Sequence, residues 1–261
     1  MKFGPALSPR QHGPVASSLS AMPDSATIVT LKWGTRYSAD FVNRLYRAVQ
    51  RHLQRPHRFV CFTDDASGLD PHVDAFPIPE LALPAKSMST GWRKLALFQP
   101  NLPLSGPCLF LDLDIIVRGN LDVFFDFAPQ QIPIIHNWTN GLSNLLGRRP
   151  AIGNSSVFRF PANACGHIVT QYLAEQEWAH ATFHPPQTYL THAIRPQMTF
   201  WPESWVRSFK RHCRPLFPLN LMLPPHLPKD ARIIAFHGRP DPDEAEPVSY
   251  THLRAHETEA D

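Results

Sequence analysis

No stretch of this chain approaches the roughly 20 consecutive apolar residues that a membrane helix requires. Residues 1–25 carry Lys2 and Arg10 but no continuous apolar run. Neither a membrane span nor a secretory leader is therefore expected. Cysteine is scarce: Cys61, Cys108, Cys165 and Cys213 stand far apart, with no CxxC pair and no Cys/His ligand spacing. Four isolated cysteines, three of them in or beside apolar segments, read as reduced cytosolic thiols. Charge of one sign is also lacking, since 25 Lys and Arg face 22 Asp and Glu. That scattered excess does not define a nucleic-acid surface. Internal repeats and strong low-complexity tracts are absent, and no Gly-rich turn follows the first apolar run to cradle a nucleoside triphosphate.

What is present suits one sizeable core. At 261 residues, a single α/β domain with appended loops is the economical expectation. Residues 1–25, rich in Pro, Ser, Gly and Ala, have little to bury and read as a disordered extension. The domain is expected over 26–248. The tail 249–261 (SYTHLRAHETEAD) resembles a sequencing adaptor translated in frame, and is set apart from fold reasoning on that ground.

Within the domain, residues 27–33 are β-prone and break at Gly34, and Ser38 stands where a helix N-cap belongs. Phe41, Val42, Leu45, Val49 and Leu53 then recur at helical spacing. Strands are predicted at 58–63, 73–78, 108–117, 131–136, 156–160 and 232–236, and helices at 92–98, 164–177 and 188–194. Strands alternating with helices imply a Rossmann-like, mostly parallel central sheet flanked by helices. The prolines crowding 196–228 predict long loops over that sheet.

The chemistry centres on Asp112-Leu113-Asp114, set inside the apolar run 108–117. In an extended strand two residues apart point the same way, so two carboxylates would repel at the end of a buried strand unless solvated, protonated or neutralised by a cation. Oxygen ligands suit Mg²⁺ or Mn²⁺, and such an ion can hold a diphosphate. The carboxyl ends of parallel strands are also where open α/β sheets bind ligands. His237 begins the loop after the last apolar strand, where its imidazole would complete the ion's coordination or simply face solvent.

The order of R-K-L, FLDLDIIVRGNLD, GNSSVF, PQTYL and IIAFHGRP along residues 28–240 resembles the family 8 glycosyltransferases and their bacterial relatives. The resemblance implies a GT-A fold, a nucleoside-diphosphate sugar donor, UDP first among them, Mn²⁺ or Mg²⁺, and transfer with retention to a glycan or glycolipid acceptor. It assigns the metal to Asp112, Asp114 and His237, with Asp112 also on the ribose and His237 on the diphosphate. Donor contacts fall on Thr30, Leu31, Trp33, Tyr37, Arg93, Lys94, Asp112, Leu113, Gly238 and Arg239. Asn154 and Gln187 are the candidate catalytic residues, lying where the family has an amide on the sugar and a glutamine beside the anomeric carbon.

Several positions depart from the family pattern. Ser156 replaces a glycine, Pro186 and Thr188 replace acids flanking the glutamine, Lys32-Trp33-Gly34 stand where acids approach the base, and Asp241 stands where a lysine is common. Two other readings stay open: a nucleotidyltransferase that makes the sugar nucleotide, and a binding module that kept the fold without the chemistry. Segment 200–217 (FWPESWVRSFKRHCRPLF) mixes Trp201, Trp205 and Phe209 with Arg207, Lys210, Arg211 and Arg214. It reads either as a partly buried lid or as a peripheral contact at the inner membrane face.

Overall fold

The computed structural model describes residues 25–138, 151–215, 223–239 and 242–243. The predicted extension, apart from Ser25, and the predicted tail lie outside them, as do Phe217 and Asp241.

The chain opens on β1 (Ala26–Lys32), every residue of which is buried. A strand covered on both faces must be apolar on both, as ATIVTLK nearly is. Gly34 turns the chain at φ 61°, and Ser38 precedes α1 (Ala39–His52) at the N-cap position without a side-chain capping bond. Val42, Leu45, Ala48 and Val49 form the buried stripe of α1. β2 (His57–Thr63) and β3 (Asp74–Pro77) follow, then a 3₁₀ segment Gly91–Phe98. The rest of the main sheet comprises β4 (Pro107–Leu111), β6 (Ile132–His136), β7 (Gly153–Pro161) and β8 (Met198–Phe200).

The seven strands lie in the order β3-β2-β1-β4-β7-β6-β8. All ladders are parallel except the two made by β7, so six of the seven strands run one way. A second, three-stranded sheet orders β5 (Ile115–Val117), β10 (Ile233–Ala235) and β9 (Val206–Ser208). Two apolar layers cover the main sheet. One joins α1 to the short α2 (Val123–Asp126), Trp201 and the small sheet. The other joins Gly91–Phe98 to α3 (Gly166–Ala174), α4 (Gln176–Thr182) and α5 (Pro186–Ile194). This is the expected α/β class with a mostly parallel central sheet.

Four local expectations are corrected. The run 108–117 is two strands in two different sheets, parted at Asp112-Leu113-Asp114. Continuous apolarity looks the same whether a strand goes on or changes sheets. Residues 92–98 belong to a 3₁₀ rather than an α-helix, with six of the eight residues of Gly91–Phe98 buried; packing against β4 and α3 overrides the local preference. The helix expected over 164–177 divides at Glu175, whose carboxylate accepts from Tyr189 Oη (3.1 Å) and Gln171 Nε2 (3.0 Å). The proline-rich region holds β8, β9 and one π-helical turn, Phe209–Cys213.

All four cysteines are free and buried. Burial pushes the thiols of Cys61 and Cys108 up to about 12 and those of Cys165 and Cys213 up to about 11, so none is a reactive thiolate.

His180 sits in an aromatic cluster, 4.1 Å between ring centroids from Trp92 and with Nε2 2.9 Å from Tyr172 Oη. Burial, then Lys86 and His184, push its pKa down. A folded-state pKa below the unfolded one means that the unfolded chain takes up the proton first. Stability is therefore lost as pH falls through the ordinary histidine range. The urea midpoint should drop between about pH 7.5 and 5.5 around that value, and His180→Gln should flatten the drop; an equal slope in the variant would refute the assignment.

Candidate functional site at the junction of the two sheets

Asp112, Leu113 and Asp114 form the bend at which the chain leaves one sheet for the other. The amide of Asp112 donates to the Ser156 carbonyl at 2.9 Å, extending the β4–β7 ladder by one residue. Two residues later the Asp114 carbonyl accepts from Phe236 N at 2.9 Å, extending the antiparallel β5–β10 ladder. The two carboxylates thus stand at the carboxyl end of β4, where ligands bind in open α/β sheets. The β10 pairing carries His237, the next residue, to the same bend.

Lys94 is 7% exposed, and its Nζ donates to Asp112 Oδ2 at 2.7 Å, to the Ser155 carbonyl at 2.9 Å and to Ser155 Oγ at 3.3 Å. A buried ammonium with three acceptors is a fixed charge, and it neutralises one of the two carboxylates. Its neighbour Arg93 points elsewhere. Its Nε donates to the Met88 carbonyl, and its guanidinium lies 5.9 Å from the centre of the Trp33 ring. Of the predicted basic pair, Lys94 alone reaches Asp112.

Nε2 of His237 lies 2.6 Å from Ser208 Oγ, and the ring stacks on Trp138 at 5.5 Å and 23°. Burial, then Lys210, Arg211 and His212, push its pKa down, which favours the neutral imidazole. Asp112, Asp114 and His237 therefore meet at one junction but do not close into a ligand set. Among the described residues, no three His, Cys, Asp or Glu side chains are gathered as a metal cluster. Two carboxylates and a neutral imidazole are nonetheless a donor set that suits Mn²⁺ or Mg²⁺.

The other predicted residues divide by location. Asn154 and Ser156 lie on β7, with Ser156 N donating to Asn154 Oδ1 at 2.9 Å. The start of α5 carries Gln187, whose carbonyl accepts from Thr191 Oγ1 at 2.8 Å; the same hydroxyl accepts from Gly153 N at 2.9 Å. Gly91 faces Pro186, with 3.8 Å between the Pro186 Cβ and the place a Gly91 side chain would occupy. The candidate sugar-facing residues thus belong to one packed unit with the segment that carries Lys94.

Thr30 is fully buried, and Leu31 and Leu113 are core side chains. Only their backbone can meet a donor. Trp33 is half-buried, whereas Tyr37 packs on Phe41 with Arg36 over its ring. Lys32 turns toward the Asp65 carbonyl (3.0 Å), and Asp64 accepts from Gly34 N (2.8 Å), so carboxylates reach this end of β1 from the loop after β2. Gly238 and Arg239 are exposed beyond His237.

Within 200–217 the aromatic side chains pack inward, as the partly buried reading expects. Trp201 is 3% exposed and donates Nε1 to the Val157 carbonyl at 3.1 Å; Phe209, equally buried, stacks on Phe236. Trp205 packs on Phe124 and Phe127. These aromatics pack in or against the core. Among the described residues, no helix is long and apolar enough to cross a membrane.

Sequence reasoning missed Ser208 and Trp138. Nothing in their local patterns separates them from other serines or strand-end aromatics. The pairing of β9 with β10 brings Ser208 to His237, and Trp138 is shown only by its stacking on that ring.

No family model matches the sequence, and neither does any curated protein. Solved structures share the fold. The galactosyltransferase LgtC, solved with donor and acceptor sugar analogs, superposes with a TM-score of 0.57 at 14% identity, over 83% of this chain and 88% of that one. The bifunctional glycosyltransferase WbbM gives 0.57 at 13% identity, over 92% of this chain and 49% of that one. The glycosyltransferase GlyE of Streptococcus pneumoniae gives 0.55 at 13% identity, over 83% and 56%. The chain thus spans nearly all of LgtC and about half of the other two. At these identities the likeness is one of fold, and the fold is the GT-A type.

Proposed function

We propose that the chain is a family 8-like, retaining glycosyltransferase that moves a sugar from a nucleoside-diphosphate sugar, UDP first among the nucleotides, to a glycan or glycolipid. In this reading Asp112, Asp114 and His237 hold Mn²⁺ or Mg²⁺. The observation that supports it is the sheet-to-sheet bend at the carboxyl end of β4, where the main chains of Asp112, Asp114 and His237 meet, in a fold shared with LgtC.

Bound there, a divalent ion would supply Lewis-acid stabilisation to the leaving diphosphate. The protein's own residues do the rest. Lys94 holds Asp112 in place, and Ser208 fixes the ring of His237. Asn154 and Gln187 face the sugar; a glutamine amide is a poor nucleophile, so its part is to orient the ring and stabilise developing positive charge. The bond from the anomeric carbon to the diphosphate breaks, the acceptor oxygen bonds on the same face, and the acceptor's proton goes to the departing diphosphate oxygen. A lipid-linked acceptor would meet the exposed Arg211 and Arg214. The buried free thiols and the lack of a membrane-spanning helix among the described residues support a cytoplasmic setting, with any membrane contact peripheral.

The test is a donor screen with Mn²⁺ or with chelator. The expected result is release of nucleoside diphosphate that requires the metal. Metal-independent turnover would overturn the reading. Pyrophosphate release from a sugar phosphate and a nucleoside triphosphate would identify a nucleotidyltransferase instead. Metal-dependent nucleotide binding with no turnover would identify a binding module.

A further inference from the structure

We propose that Lys210, from the π-helical turn after β9, is a cation that engages the diphosphate of the donor. This rests on the glycosyltransferase reading and names a residue for it that sequence order does not suggest, because Lys210 precedes His237 by 27 positions.

The placement is specific. Gly238 has φ +65°, and a side chain built on it would stand 3.4 Å from Lys210 Nζ. The Lys210 Nζ therefore lies close to the backbone immediately after His237, at a position whose left-handed φ favours glycine. Neighbouring packing holds it there. Phe209 stacks on Phe236 with ring centroids 4.6 Å apart, Cys213 is fully buried, and Ser208 Oγ both accepts from Arg211 N and contacts His237. The turn is thus clamped at both ends, with Lys210 facing Gly238. π-helical turns are rare and gather at functional sites.

Charge supports the same assignment. Arg207 is paired with Glu203 at 3.0 Å and Lys94 with Asp112. Lys210 is half-buried, and among the described residues it makes no ion pair with a carboxylate. A half-buried ammonium close to the Gly238 backbone is a place where an anion would be favoured. A diphosphate whose divalent ion is held by Asp114 and His237 would come beside the Gly238 backbone that Lys210 faces. When the anomeric carbon–oxygen bond breaks, the electron pair stays on that diphosphate, and the Lys210 ammonium stabilises it without giving up a proton.

The experiment compares wild type, Lys210→Gln and Lys210→Arg for binding of UDP and UMP by calorimetry in Mn²⁺, with thermal melting to confirm that each variant is folded. Lys210→Gln should weaken UDP by roughly ten- to a hundredfold, the effect of losing a charge-assisted contact. It should change UMP by less than about twofold, and Lys210→Arg should recover most of the UDP affinity. Equal losses for both nucleotides, or no loss for UDP, would overturn the assignment of Lys210 and leave the glycosyltransferase reading standing. A wild type that binds neither nucleotide in Mn²⁺ would remove that reading and this assignment together.

Discussion

Asp114→Ala should lower metal-dependent nucleotide release by at least about a hundredfold, since even residues that merely support a metal ligand cost 10–100-fold when replaced. The substitution is cleaner than one at Asp112. Removing Asp112 would leave Lys94, a 7% exposed ammonium, with Ser155 alone to accept its hydrogen bonds, and misfolding would mix with loss of chemistry. At position 114 the contribution to the small sheet is made by the main chain, because Phe236 donates to the Asp114 carbonyl. Alanine keeps that bond. Thermal melting with and without Mn²⁺ separates the effects, because a ligand that binds the folded state raises Tm by mass action. The wild type should be stabilised by Mn²⁺ and the variant should not. Activity within tenfold of wild type, or an undiminished Mn²⁺ shift, would remove Asp114 from the proposed site.

The second large effect lies away from that bend. Arg159 on β7 is 2% exposed and serves as a hub for the loop that ends α2. Nη1 donates to the carbonyls of Phe124 (2.7 Å), Phe125 (2.9 Å) and Phe127 (2.7 Å), and Nη2 to those of Ala128 (2.6 Å) and Gln131 (3.4 Å). The last carbonyls of a helix have no partner within it. Here one guanidinium fork satisfies them, together with a turn in which Ala128 adopts φ 43°. Burial pushes the guanidinium down to about 10, so it keeps its proton at neutral pH.

Arg159→Leu relieves the desolvation of the charge but strands a row of carbonyls, each worth about 1–3 kcal/mol when buried unpaired. The expected net loss is about 3 kcal/mol, or roughly 6–12 °C in Tm for a domain of this size. Arg159→Lys, with three donors on a point charge instead of a planar fork, should recover only part. Denaturant midpoints measure it. A loss below about 1 kcal/mol would show that solvent or a rearranged loop takes over the carbonyls, contrary to this account.

Arg159 and Lys94 illustrate what was hidden in the linear chain. Arg159 sits in the β-prone run SSVFRF and looks there like an outward-facing strand residue; no local pattern reveals that α2 ends beneath it. The pair Arg93-Lys94 looked like one basic patch. Burial of the Gly91–Phe98 segment turns Lys94 into the bend and leaves Arg93 against Trp33. Trp201, Trp205 and Phe209 carried an amphipathic signal that the structure resolves as core, because an aromatic beside a lysine looks the same at a membrane surface and over a neighbouring sheet.

The sequence by itself determined the class of the fold. Runs such as 27–33, 58–63 and 108–111 are apolar on both faces and demand a covered, largely parallel sheet, and the period of α1 leaves one face to cover it. It also determined which carboxylates stand inside an apolar run. Tertiary structure alone decided that this run breaks at Asp112-Leu113-Asp114, that Lys94 neutralises one of its carboxylates, and that β10 returns His237 to it. The reason is physical. Burial and periodicity are properties of neighbours along the chain, whereas the bend is made by hydrogen bonds to Ser156 and Phe236, residues 44 and 122 positions away from their partners.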